Sequence, residues 1–254
     1  MQVFLQILTL LGAMAMFLYG MTMMSEGLQK AAGDKLRSFL ASMTSTTFKG
    51  IITGIVITAL IQSSSGTTVM VVSMVNAGLL ALGNAIGVIM GANIGTTLTA
   101  WMISLFGFSY DIGAFRNIGE FIIGFAFLLI GLATMKNSVP DLNQYPEVLA
   151  LVKNLTSYGF FSVIIFTLVG ALITVIVQAS SASLALTMVF VANGWINFEM
   201  AAAMVLGANI GTTITANIAA AVANYSAKRT AIANTLFNVI GVVLALVFFN
   251  PLMR

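Results

Sequence analysis

The stretch Gln62-Ser63-Ser64-Ser65, followed by Gly91-Ala92-Asn93-Ile94-Gly95-Thr96-Thr97, is rewritten 116 residues later as Gln178-Ala179-Ser180-Ser181 and Gly207-Ala208-Asn209-Ile210-Gly211-Thr212-Thr213. Both phrases keep their internal spacing, and Gly54, Thr58 and Gly78 recur at the same offset as Gly170, Thr174 and Gly194. Upstream, Gly12 to Gly20 resembles Gly124 to Gly131 at a slightly different offset, as an insertion would produce. The organisation expected is therefore a first repeat over 1–110, a second over 111–225 and a closing apolar helix over 226–254.

The phrases interrupt very apolar surroundings. The chain is 59% hydrophobic and 7% charged with a mean hydropathy of +1.06, whereas roughly a quarter of the residues of a soluble domain are charged. The apolar runs Val3 to Met24, Ile112 to Met135 and Ala231 to Phe249 are each near the roughly 20 residues a helix needs to cross the hydrocarbon core. No β-barrel alternation is present, so the spans read as helices. The first run lacks a basic leader and a small-residue cleavage site, and reads as a retained helix. With no cysteine there is no disulfide evidence about compartment. Ten Lys and Arg against seven Asp and Glu lie nearly all outside the spans, which suits anchoring at the bilayer surface. No basic patch calls for nucleic acid.

The fold class expected is an all-α integral membrane protein with two internal, inverted repeats and broken or re-entrant helices at the Gln-Ser and Gly-Ala-Asn motifs. Leu28 to Lys49 sets Leu28, Ala32, Leu36 and Phe39 among Lys30, Asp34, Lys35 and Arg37 at helical spacing, as an interfacial amphipathic helix would, with Pro146 to Leu155 as its counterpart. About 12 residues at roughly 1.5 Å each carry the chain from Gly50 to Gln62, or half of a bilayer core. A similar count leads from Ser63 to the turn at Asn76-Ala77-Gly78 and back to Gly91, so both phrases should meet near the midplane. Inverted repeats need an odd number of crossings: three result if each Gln-Ser segment passes fully through, whereas two are visible and another must be found if those segments are re-entrant hairpins.

Glycine is costly inside a helix, and Asn and Thr side chains compete for backbone partners, so Asn93, Gly95, Thr96 and Thr97 are expected to unwind it. In hydrocarbon a break is tolerated only where it is buried in protein or lines a cavity. There its carbonyls and hydroxyls suit a hard cation and its helix N-termini suit an anion. Scattered residues such as Thr53, Ser73 and Gly87 read as packing instead. Met21 to Met24 and Met200 to Met204 read as core filling.

The chain has no His and no Cys, so zinc, thiol and Ser-His chemistry lack their parts and no enzyme is expected. The single carboxylate well inside a span, Glu120, is four residues from Arg116 and reads as its partner near a helix end rather than as a proton relay. Sodium needs only neutral oxygens. A secondary transporter follows, with an ion channel lined by the same oxygens as the reading from another class.

At these motifs the chain resembles the type II sodium/phosphate cotransporter family, whose hallmark is a Gln-Ser-Ser-Ser motif in each of two repeats. Asn234-Thr235-Leu236-Phe237-Asn238 in the last helix adds to the likeness. The resemblance implies sodium-coupled phosphate transport by alternating access across the cell (inner) membrane. A sodium-coupled carrier of another small anion, such as a carboxylate, is the alternative. Residue by residue it assigns phosphate to Gln62, Ser63, Ser64, Ser65, Gln178, Ser180 and Ser181; Ala179 departs from the motif and removes one hydroxyl. Ser64, Ser65, Asn93, Thr96, Thr97, Ser181, Asn209, Thr212 and Thr213 are the expected sodium ligands. No cofactor is expected beyond co-transported sodium. A homodimer and a PhoU-like regulatory protein or C-terminal domain are the expected partners, the chain being a minimal member or part of a longer one.

Overall fold

A computed structural model describes residues 2–32, 46–106, 119–138 and 146–253. Among these the secondary structure is helical throughout, with no strand. Three helical stretches are long and apolar enough to cross a membrane: Phe160–Val177, Phe198–Ala220 and Tyr225–Val247.

Two of the longer helices, α1 (Gln2–Ala32) and α5 (Gly119–Ser138), run along one another. α2 (Thr47–Ile61) ends at Gln62, and α3 (Ser64–Asn76) starts two residues beyond its end. A turn at Gly78, whose φ of 72° suits a residue without Cβ, then leads into α4 (Leu82–Phe106). The second half repeats this order. α6 (Pro146–Thr156) is followed by α7 (Phe160–Val177) and α8 (Ser180–Ala192). After a turn at Gly194, with a φ of 71°, come α9 (Phe198–Gly211) and α10 (Thr213–Ala220). α11 (Tyr225–Val247) and the short α12 (Phe249–Leu252) close the chain. Val152 and Leu155 of α6 pack against the core formed by α7, α9 and α12. Residues 33–45 of the expected interfacial helix, and the Arg116–Glu120 pairing, lie outside the described residues.

Hydroxyls are buried among the apolar cores while many large apolar side chains face outward, as suits a lipid solvent. Thr53, Thr58, Thr67, Thr167 and Thr174 are buried, whereas Leu168, Leu172, Ile176, Leu236, Ile240 and Val247 are exposed. Most buried hydroxyls donate to a carbonyl one turn back, as Thr53 does to Lys49 (2.8 Å) and Thr167 to Val163 (2.8 Å).

Glycine sets the closest helix contacts. A Cβ at Gly54 or Gly91 would come within 3.0 Å of the carbonyl oxygens of Val88 and Ile51, joining α2 to α4. A Cβ at Gly170 or Gly207 would meet those of Met204 and Thr167, joining α7 to α9. Val88 and Met204, like Ile51 and Thr167, stand 116 residues apart, so the same contact is made in each half.

One expectation is overturned here. The Gly-Ala-Asn phrase does not unwind: α4 is continuous from Leu82 to Phe106, and Thr212, between α9 and α10, keeps helical dihedrals (φ −59°, ψ −26°). The polar side chains are satisfied without leaving the helix. Asn93 Nδ2 donates to the Ile89 carbonyl (3.2 Å), Thr96 to Ala92 (3.1 Å) and Thr212 to Ala208 (2.8 Å). The glycines of this phrase serve close approach to α2 and α7 rather than chain reversal.

Candidate functional site

The chain does break at both Gln-Ser motifs, and in the same way. Gln62 (φ 56°, ψ 24°) and Gln178 (φ 55°, ψ 21°) adopt the left-handed conformation, unlike any other described non-glycine residue. Such a conformation costs on the order of 1–2 kcal/mol for a residue with a Cβ. Each glutamine ends a helix, its N–H donating to Thr58 or Thr174 (2.7 Å in both). The next residue, Ser63 (φ −147°) or Ala179 (φ −140°), is extended and starts the following helix. Every break thus sets the carbonyl end of one helix beside the amide end of another, giving acceptors and donors at one place.

The two breaks face each other. Gln62, Ser63 and Ser65 line a cavity of about 370 Å³ together with Gln178, Ser180 and Ser181, and α1 contributes Leu18 and Thr22. Among the described residues, no charged side chain is in its wall. Ser180 and Ser181 also line a second cavity of about 340 Å³, where they meet Asn93, Thr96 and Thr97 of α4 and Asn209 of α9 on an otherwise mostly apolar wall that includes Leu184, Leu206 and Phe237. This wall too is uncharged.

The halves differ within this likeness. Ser63 Oγ accepts the Gly66 N–H (3.0 Å), capping α3, whereas Ala179 gives α8 no side-chain cap. Gln62 is buried, and its Nε2 donates to the Ala59 carbonyl; Gln178 is exposed. Thr67 Oγ1 accepts from Thr58 Oγ1 (3.1 Å), but its counterpart Ser183 leaves a buried hydroxyl unpartnered.

Of the residues assigned to phosphate, all but Ser64 line the cavity between the breaks. Ser64 is buried under the first turn of α3 instead, its carbonyl accepting from Thr68 Oγ1 (2.8 Å). Of those assigned to sodium, Asn93, Thr96, Thr97, Ser181 and Asn209 share the second cavity. Ser65 faces the first cavity, and Thr213 is buried with its hydroxyl on Ile210 (2.8 Å). Sequence reasoning used Asn238 of α11 for the family likeness but gave it no site role, and it lines the second cavity. Its signal was a pair of asparagines four residues apart, Asn234 and Asn238, inside an apolar run.

Apolar helices around a neutral, oxygen-lined interior define a polytopic membrane protein. The family model described as Na+/Pi-cotransporter matches residues 16–137 and 147–253, so the chain belongs to that family and the resemblance carried by the Gln-Ser motifs holds. The chain is 31% identical to YjbB of Salmonella typhimurium, whose name assigns it inorganic phosphate export, over 98% of this chain and 48% of YjbB. It is 32% identical to YqeW of Bacillus subtilis over 92% of this chain and 80% of YqeW. Sodium-dependent phosphate transport protein 2A of Rattus norvegicus is 37% identical over 40% of this chain and 16% of its own length. The chain therefore spans about half the length of YjbB. No solved structure matches it.

Proposed function

We propose that the chain binds inorganic phosphate between its two Gln-Ser breaks, binds sodium in the adjoining oxygen-lined cavity, and carries both across the cell membrane by alternating access. The supporting observation is that both breaks line one uncharged cavity and share Ser180 and Ser181 with a second. Phosphate meets hydroxyl and amide donors there, and sodium supplies the countercharge that the wall lacks.

Energetics favour coupling. Moving one charge through 100 mV is worth about 2.3 kcal/mol, so bringing a dianion into a negative interior costs roughly 4.6 kcal/mol, which two sodium ions cancel. The repeats, 1–110 and 111–225, are read as inverted halves followed by the closing helix over 226–254. In support, the matched segments of α1 and α5 pack on one another: a Cβ at Gly20 would meet the backbone of Gly124 and Leu128, and one at Gly131 that of Phe17. A two-fold axis in the membrane plane brings equivalent segments together in this manner.

Uptake of labelled phosphate into proteoliposomes is expected to rise with an inward sodium gradient and to be competed by unlabelled phosphate but not by carboxylates. Uptake indifferent to sodium would refute the coupling, and absence of carrier-mediated phosphate uptake together with sodium-driven uptake of a labelled carboxylate would replace the substrate.

A further inference from the structure

The closing helix α11 belongs to neither repeat, yet it reaches the second cavity. It packs against α3 and α4 from the first half and α9 and α10 from the second. Asn238, only 7% exposed, lies in the cavity wall with Asn93, Thr96, Asn209 and Ser181.

The hydrogen bonds decide which atom Asn238 can offer. Its side-chain amide donates to the Asn234 carbonyl (2.9 Å) and to Asn234 Oδ1 (3.0 Å). A backbone carbonyl can only accept, so the group facing it must be the NH₂, and two acceptors use both of its protons. Oδ1 is what remains. Asn93 is fixed in the same way, since its Nδ2 donates to the Ile89 carbonyl (3.2 Å). Thr96 and Thr97 have given their hydroxyl protons to Ala92 (3.1 Å) and Ile94 (2.7 Å), leaving lone pairs. On the α4 and α11 side of this wall the polar groups left over are the Oδ1 atoms of Asn93 and Asn238, the lone pairs of Thr96 and Thr97 and one N–H of Asn93, beside the apolar Phe237 and Val242. Acceptors outnumber donors there, which suits a small hard cation better than a phosphate oxygen.

We propose that Asn238 Oδ1 is a sodium ligand supplied by the closing helix, with Asn234 as the residue that positions it. This rests on the reading that the chain moves phosphate with sodium. The closing helix occurs once in the chain, so a site completed by Asn238 cannot be duplicated by the repeats.

The test is phosphate uptake by the full chain in proteoliposomes, measured against sodium at saturating phosphate and against phosphate at saturating sodium. Asn238→Ala is expected to raise the half-activating sodium concentration roughly tenfold, the low end of what altering a metal's surroundings costs, with the phosphate KM at saturating sodium held within about twofold. Asn238→Asp, which keeps the shape and adds charge to the remaining oxygen, is expected to lower the half-activating concentration below that of wild type. Asn234→Ala should raise it by a smaller factor than Asn238→Ala. Unchanged sodium activation in both Asn238 variants, with a sodium-dependent wild type, overturns this proposal alone. A rise in phosphate KM matching the sodium effect does the same. Sodium-independent uptake by the wild type overturns the coupling reading and this proposal together.

Discussion

Ser181→Ala is expected to lower sodium-driven phosphate uptake about a hundredfold while the protein still folds. Ser181 lines both cavities, so under the proposed function its oxygen would serve the anion side and the cation side at once. A hydrogen bond to a charged group contributes about 1.5–3 kcal/mol, and each 1.4 kcal/mol is tenfold in binding. Losing it together with one sodium contact therefore takes affinity down by roughly two decades. Alanine is a good helix former in the first turn of α8, so stability should hold. Ser73→Ala is the control: this exposed hydroxyl merely returns to the Val69 carbonyl (2.9 Å), and uptake should stay at the wild-type level. Initial rates in proteoliposomes, normalised to reconstituted protein, measure both.

Gly207→Ala is expected to give the largest loss of stability. Its Cβ would enter the Thr167 carbonyl on α7, a backbone atom held by its own helix, while Gly170 makes the reciprocal contact with Met204. Neither helix can yield locally, so the pair must separate along its length. Overpacking of this kind costs about 1–3 kcal/mol, and the glycine contacts come in facing sets, which places this change at the upper end. Gly91→Ala should act alike in the first half, against Ile51. At Gly83, near the start of α4, an added Cβ meets nothing within 4 Å, so Gly83→Ala should leave stability unchanged or raise it by up to about 1 kcal/mol. Thermal unfolding in detergent checks the order: Gly207→Ala and Gly91→Ala below wild type, Gly83→Ala at or above it.

What could be read in the sequence depended on whether a residue type had one use or two. Gln followed by serines inside an apolar helix has little use except a break, and the chain does break at Gln62 and Gln178. Glycine beside Asn and Thr has two uses. The phrase at Gly91 to Thr97 reads equally as a helix breaker or as a smooth face for close packing, and helix α4 takes the second course because its hydroxyls bond back to their own carbonyls. Propensity in water overstates the breaking tendency where no water competes for those carbonyls. The unequal environments of Gln62 and Gln178 depend on how the other helices lie over each break, and no local pattern carries that. Asn238 was legible as part of the family likeness, but with no duplicate at the 116-residue offset nothing in the sequence joined it to the doubled phrases.

The chain contains no cysteine, so one introduced at each break is the sole thiol present and its reactivity reports that break alone. Ile61→Cys at the first break and Ala179→Cys at the second both line the shared cavity at positions assigned no ligand role. The decisive measurement is their rate of modification by a small, charged thiol reagent. Phosphate with sodium is expected to slow the reaction at both positions, and phosphate in potassium at neither. Rates unaffected by phosphate and sodium, or protection confined to one of the two breaks, would contradict a single site shared by both halves.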